Sequence, residues 1–192
     1  MNISWAALEE ALCACRRCRL CDSRTQVVMG EGNPHADIMF IGEGPGKEED
    51  RLGRPFVGPA GILLEKALHA IGETRDTAYI ANVIKCRPPG NRTPEADEVS
   101  ACLFFLRGQV ALVQPRVLVL MGACALRAVL GDTMRITRDR GQWVEKKGVL
   151  MMPTFHPAAL LRDESKKRPF WEDFKQVQRK IAEIRGCHAD TF

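Results

Sequence analysis

Four short apolar runs alternating with amphipathic stretches predict an α/β protein: a three-layer α/β/α sandwich around a central four-stranded, mostly parallel sheet. The runs cover 38–41, 78–84, 117–121 and 149–155. They are almost continuously apolar rather than alternating, which is the pattern of strands covered on both faces. At 192 residues, with no repeat, low-complexity tract or linker-like stretch, the chain is expected to form one domain spanning 1–192.

Residues 4–17 (SWAALEEALCACRR) carry apolar positions at helical spacing, with acids early and arginines late as the helix dipole favours. They predict a helix that delivers the first cysteines. A Gly/Pro-bearing turn at 30–34 separates it from the strand at 38–41, which runs into a glycine-rich turn at 42–46. Pro59, just after Gly58, starts a crossover helix with Ile62, Leu63, Ala67, Leu68 and Ile71 on one face and Gly72 as its stop. The strand at 78–84 holds one polar residue, Asn82, near its end, and the following loop RPPGNRTP disfavours regular structure. Thr93-Pro94-Glu95 predicts the start of a helix that reaches Pro115. The strand at 117–121 turns at Gly122 into a helix ending at Leu130, and RDRGQWVEKKG (138–148) is an irregular excursion. The strand at 149–155 ends in His156-Pro157, and Pro169 opens a last helix whose Phe170, Phe174, Val177, Ile181 and Ile184 face inward until Gly186.

The glycine turn is the chemically loaded stretch. Gly42, Gly44 and Gly46 allow backbone conformations closed to other residues and a close approach to a ligand. Glu43, Glu48, Glu49 and Asp50 crowd it with Lys47 as their one base, so it would repel phosphates and does not read as a phosphate cradle. Ligands of parallel sheets bind outside the carboxyl ends of the strands, and that edge collects Glu43, Asn82 and His156. For Asn82 and His156 the plainer alternatives are a polar residue closing a strand and a core histidine.

The net charge is only +4, but 162–180 holds seven Lys or Arg against four acids, a surface suited to a polyanion. No 18-residue apolar run exists, and no basic segment leads into an apolar one at the N-terminus, so neither a membrane span nor a secretory signal is expected. The eight cysteines are then expected in a reducing cytoplasm, where clustering argues for metal rather than disulfides. Cys15-x2-Cys18 is a two-thiolate hook, and Cys86 and Cys102 supply two more ligands. Four thiolates suit zinc or an iron–sulfur cluster equally on ligand chemistry, and Cys18-x2-Cys21 has the same spacing as the first hook. With all four positions filled by protein, such a site is structural rather than catalytic. Cys124, in an alanine-rich stretch, reads as a small buried apolar residue.

GEGPGKEED (42–50), GRPFVGPAG (53–61), Asn82 leading into KCRPPGNRTP (85–94), RG-W (140–143) and HPAALLR (156–162) resemble, in this order, the motifs of one family. It is the bacterial and archaeal uracil-DNA glycosylase that carries a four-iron, four-sulfur cluster, often called family 4. The resemblance runs from about Cys15 to the final helix. It implies a uracil-DNA glycosylase-like fold and a [4Fe-4S] cluster held by Cys15, Cys18, Cys86 and Cys102, the hook's register being fixed by the Arg19-Leu20 that follows it. A related branch that becomes covalently attached to DNA carries a basic, histidine-containing insertion after the position of Cys86. Here that loop reads GNRTPE, so self-trapping is not expected.

The resemblance implies hydrolysis of the N-glycosidic bond of uracil in single- or double-stranded DNA, leaving an abasic site, by an enzyme expected to act as a monomer. Bond cleavage builds positive charge on the sugar and negative charge on the base, after the nucleotide has been extruded. His156 is placed to donate to uracil O2, Asn82 to read the base edge through N3–H and O4, and Phe56 to stack on the ring. Glu43 is the choice for positioning water and stabilising the cationic sugar, Glu49 for a position near the base C5, and Gly42 and Gly44 for letting the nucleotide approach the backbone. Leu160 or Leu161 would fill the space vacated in the DNA, and Arg162 would hold phosphate. No lysine stands out as a Schiff-base nucleophile, so strand cleavage is not expected.

Overall fold

The computed structural model describes residues 4–189. The chain forms α1 (Trp5–Cys13), β1 (Glu31–Gly32), β2 (Ile38–Gly42), α2 (Lys47–Leu52), α3 (Pro59–Ala70), β3 (Tyr79–Asn82) and α4 (Ala96–Val113). There follow β4 (Val117–Met121), α5 (Gly122–Leu130), α6 (Ile136–Asp139), β5 (Val144–Lys146), β6 (Val149–Thr154), α7 (Pro157–Arg162) and α8 (Lys167–Ala189). The sheet order is β1-β3-β2-β4-β6-β5. The four central strands are parallel and the two edge strands antiparallel.

Alternation within β2 builds the three layers. Met39 and Ile41 join Leu8, Leu12, Phe105 and Leu126 on one face of the sheet, while Ile38 and Phe40 join Leu64, Leu68, Phe174 and Val177 on the other. Successive strand side chains point to opposite faces, so a continuous apolar run serves two cores. No helix among the described residues is long and apolar enough to cross a membrane.

The sheet has six strands where the sequence predicts four. β1 is a two-residue pairing against β3, too short to carry a periodic signal. β5 lies inside the expected excursion and pairs with β6 through Lys147-Gly148, both with left-handed φ (54° and 76°), the conformation of a tight hairpin turn. Three helix ends also differ. α1 stops at Cys13 rather than 17, with Ala14 as its C-cap. α4 starts at Ala96 behind Glu95, whose N–H donates to the Glu98 carboxylate at 2.8 Å, so Thr93 is not the cap. α8 begins at Lys167 with Pro169 in its first turn and continues through Gly186.

Parallel register sets the functional edge. Gly42 at the end of β2 pairs with Asn82 at the end of β3, and Met121 at the end of β4 pairs with Thr154 at the end of β6. The chain therefore leaves the sheet on one side at Glu43, Val83, Gly122 and Phe155.

Candidate active site

A cleft of ≈ 670 Å³ opens on this edge, lined by Glu43, Gly44, Glu49, Phe56, Asn82, His156, Leu161 and Arg162 among others. Glu43, Asn82 and His156, far apart in sequence, share it as the strand-end reading expected.

Asn82 is buried, and its Oδ1 is the buried side-chain polar atom without a hydrogen-bond partner among the described residues. An acceptor left in this state is costly unless a ligand donor completes it. Gly42 keeps the approach open: a Cβ there would stand 2.5 Å from Asn82 Oδ1 and 2.5 Å from Phe56 Cζ.

Phe56 is held in a left-handed conformation (φ 53°), uncommon for an aromatic residue. Arg75 secures it by donating to the carbonyls of Phe56 (2.5 Å) and Pro55 (2.9 Å), while Glu65 at 2.8 Å and Glu31 anchor the guanidinium. Gly61 is part of the same device, because a Cβ there would collide with the Phe56 carbonyl at 1.9 Å. The Phe56 and His156 rings stack with centroids 5.6 Å apart and planes at 28°.

His156 caps α7, its Nδ1 accepting the N–H of Ala158 at 3.1 Å. The ring proton therefore sits on Nε2. Burial pushes the imidazole pKa down to about 4, Arg162 adds to the shift, and Glu49 opposes it. The ring is neutral at physiological pH and presents an N–H donor rather than a cation. Burial raises the pKa of Glu43, with Arg127 and Arg162 acting in the opposite direction.

Two acids of the glycine turn, Glu49 and Asp50, brace the site. Glu49, expected near the base C5, has both oxygens committed: Oε1 accepts from the N–H groups of Val57 (2.9 Å) and Gly58 (2.8 Å), and Oε2 from Gly46 (3.1 Å). It ties the glycine turn to the Phe56 loop. Asp50 is buried and accepts from the Thr25 amide at 2.9 Å, and Glu48 pairs with Arg51 on the surface.

The HPAALLR segment divides. Leu160 is only 3% exposed and packs in the core beside α3 and α8, so it is not available to enter DNA; Leu161 is 53% exposed at the rim of the cleft. The helical turn places adjacent residues about 100° apart, which sends one leucine inward and the other out. Arg162 is exposed on the same rim, which the half-buried Lys166 also lines while pairing with Asp163 at 2.9 Å. Further along the basic segment, Lys167, Arg168 and Lys180 pair with Glu164, Glu172 and Glu183. Those local pairs moderate the polyanion surface that the sequence suggested.

Cys15, Cys18, Cys86 and Cys102 line a single small cavity together with Cys21 and Arg24. Arg24 donates to Cys86 Sγ at 3.3 Å, and the Lys85 N–H donates to Cys102 Sγ at 3.3 Å. Arg19 joins the hook to the start of α4 through Glu95 (2.7 Å) and Asp97 (2.9 Å), and Glu98 is held down to about pKa 2, chiefly by Arg92. Burial raises the thiol pKa values of Cys18, Cys86 and Cys102, the last to about 11. Among the described residues, no three His, Cys, Asp or Glu groups are set to share one metal ion. Cys124 is buried as a small apolar residue, as expected.

Sequence reasoning named Asp50 without its bond to the Thr25 amide, and it missed Arg75 and the fully buried Lys85. A lysine closing the apolar run NVIK was the available signal for the last.

Comparison with known proteins agrees with this geometry. The family model of the Uracil DNA glycosylase superfamily matches residues 29–175. A Type-4 uracil-DNA glycosylase of Thermotoga maritima is 46% identical over 89% of this chain and 91% of its own length. One of Sulfurisphaera tokodaii is 42% identical over 89% of this chain and 82% of its own. A Type-5 uracil-DNA glycosylase of Pyrobaculum aerophilum is 34% identical over 81% of this chain and 75% of its own. With the strand-end cleft, the thiol cavity and these relatives together, the chain belongs to the Uracil DNA glycosylase superfamily, and within it to the type-4 uracil-DNA glycosylases.

Proposed function

We infer that this protein excises uracil from DNA by hydrolysing the N-glycosidic bond and leaving an abasic site, an initiating step of base excision repair. The observation that carries the reading is the unpartnered, buried Oδ1 of Asn82, facing a cleft shared with Glu43, Phe56 and His156. A uracil edge supplies the missing donor, its N3–H, and an acceptor, O4, for the amide NH2. Cytosine offers an amino group where uracil has O4, which would set donor against donor and cost about 1–3 kcal/mol.

In this reading the nucleotide leaves the helix, at a cost of a few kcal/mol that is lowest in single strands and mismatches. Phe56 then stacks on the ring, contributing about 1–3 kcal/mol without selecting among bases. The neutral His156 donates its Nε2–H to uracil O2 as negative charge grows there. One such donor, preorganised away from water, contributes on the order of 10²–10³ in rate. Glu43 orients water and offsets the positive charge on the sugar. Gly42 and Gly44 admit the base, Leu161 fills the gap in the DNA, and Arg162 holds phosphate. Glu49 holds the loop through its backbone bonds and, as part of the cleft wall, stands near the base C5.

Cys15, Cys18, Cys86 and Cys102 fit a [4Fe-4S] cluster. The donor set is entirely thiol and lines one cavity, chemistry that suits an iron–sulfur cluster, and the type-4 relatives favour that reading over zinc. When bound, the cluster supplies a covalent staple between the segment after α1 and the Cys86 loop and α4. We also read the whole chain, 1–192, as one domain that acts as a monomer in the cytoplasm on uracil-containing DNA.

The test is incubation of the purified protein with a uracil-bearing single-stranded oligonucleotide, followed by alkali. Alkali-labile scission at the uracil is expected. Equal binding of uracil-bearing and uracil-free DNA with no base release would instead identify a non-catalytic nucleic-acid-binding module.

A further inference from the structure

Lys85 is fully buried, and no step of the proposed excision uses it. Its Nζ donates to the backbone carbonyl of Asn82 at 2.7 Å and to Oε1 of Gln109 at 2.5 Å. Gln109 is itself fixed, its Nε2 donating to the Met29 carbonyl (2.6 Å) and the Tyr79 hydroxyl (3.2 Å). The main chain of Lys85 is also tied: its N–H meets Cys102 Sγ at 3.3 Å and its carbonyl accepts from Val28 at 2.8 Å. Burying an ammonium group is costly unless its hydrogen bonds are made, so the placement calls for a reason beyond filling space.

The reason lies in the peptide that joins Asn82 to Val83. Its N–H donates to the Gly42 carbonyl at 2.9 Å, and its C=O accepts from Lys85, so both ends of the plane are held. Asn82 is the last residue of β3, and beyond it the chain is held by single bonds rather than a regular ladder: Val83 N–H to the Gly42 carbonyl at 2.9 Å, Ile84 N–H to the Glu43 carbonyl at 3.1 Å, and the Lys85 ammonium on the Asn82 carbonyl. We propose that Lys85 is a positioning residue for base recognition: its ammonium locks the Asn82–Val83 peptide plane and so aims the Asn82 amide into the cleft. Through the Cys102 contact the same residue joins the thiol cavity to the base-reading residue. The proposal rests on the reading of Asn82 as the residue that meets uracil.

A double-mutant cycle on excision from a uracil-bearing single-stranded oligonucleotide tests it, using wild type, Asn82→Ala, Lys85→Met and the double variant, with melting temperature and iron content measured for each. Lys85→Met is expected to lower kcat/KM by about tenfold to a hundredfold, the size of effect produced by misplacing a recognition group. The double variant should fall within about twofold of Asn82→Ala alone, because the lysine acts through the asparagine. Additive losses, or wild-type rates in Lys85→Met, overturn the proposal. Should Lys85→Met fail to fold, the cycle is run with Gln109→Leu, which removes the ammonium's second acceptor, and additivity there overturns it equally. A wild-type protein that releases no uracil refutes the glycosylase reading instead, so the two failures are distinguishable.

Discussion

Gly42 and Asn82, paired across β2 and β3, stand so close that a methyl group on the glycine would lie 2.5 Å from the Asn82 Oδ1. The absent side chain is the entrance to the buried acceptor. Gly42 does not use a left-handed φ, so alanine is compatible with its backbone. Gly42→Ala should keep the circular dichroism of the fold while lowering kcat/KM on uracil by about a hundredfold, as expected of a displaced recognition group. Unchanged activity would show that the base does not enter between Asn82 and Phe56.

Asn82→Asp replaces the amide NH2, which suits uracil O4, with a second carboxylate oxygen able to accept from the cytosine amino group. Excision of cytosine relative to uracil should rise. Discrimination between the two bases, measured on matched oligonucleotides, that stays at the wild-type level removes Asn82 from the reading role.

His156 makes two separable predictions. His156→Ala should lower kcat by about 10²–10³ while DNA affinity changes little. A purely weaker binder would mark it as a DNA-positioning residue. The second concerns pH. The unfolded chain takes up this proton near 6.5 and the folded chain only at about 4, so the unfolded state binds more protons between these values. The contribution is complete above pH 6.5 and is lost as pH falls towards 4. Melting temperatures of wild type should therefore drop more steeply across this window than those of His156→Ala.

Leu160 and Leu161 should part company. Leu160→Ala opens a cavity in the core and should cost about 2–5 kcal/mol in urea unfolding. Leu161→Ala should leave stability within about 0.5 kcal/mol, as an exposed change does, and weaken excision from duplex more than from single-stranded DNA. An equal loss, relative to wild type, on both substrates would remove Leu161 from the wedge role.

Anaerobically purified protein should be brown and contain about four iron atoms per chain, the composition of a cubane cluster. Cys102→Ser should bleach it and lower its melting temperature. A colourless preparation containing zinc would contradict the cluster.

Much of this site is legible in the primary structure. The runs at 38–41, 78–84, 117–121 and 149–155 are nearly continuous in apolar residues, and that pattern alone specifies strands covered on both faces and a common edge at Glu43, Asn82 and His156. The motifs likewise announce the thiols that line one cavity. Periodicity states which face of an element is apolar, and spacing states which residues leave a strand together.

Partners at long sequence separation are decided only by the packed structure. Glu49 lines the cleft, and only the packed structure shows that three backbone N–H groups also engage its oxygens. Leu160 and Leu161 are equivalent letters until the rotation of α7 buries one of them. Arg75 reaches the Phe56 carbonyl from 19 residues away, and Lys85 reaches Gln109 from 24. Hydrogen bonds depend on the meeting of particular atoms rather than on a repeated pattern, so tertiary packing alone decides that, among the buried side-chain polar atoms of the described residues, Asn82 Oδ1 is left open for a ligand.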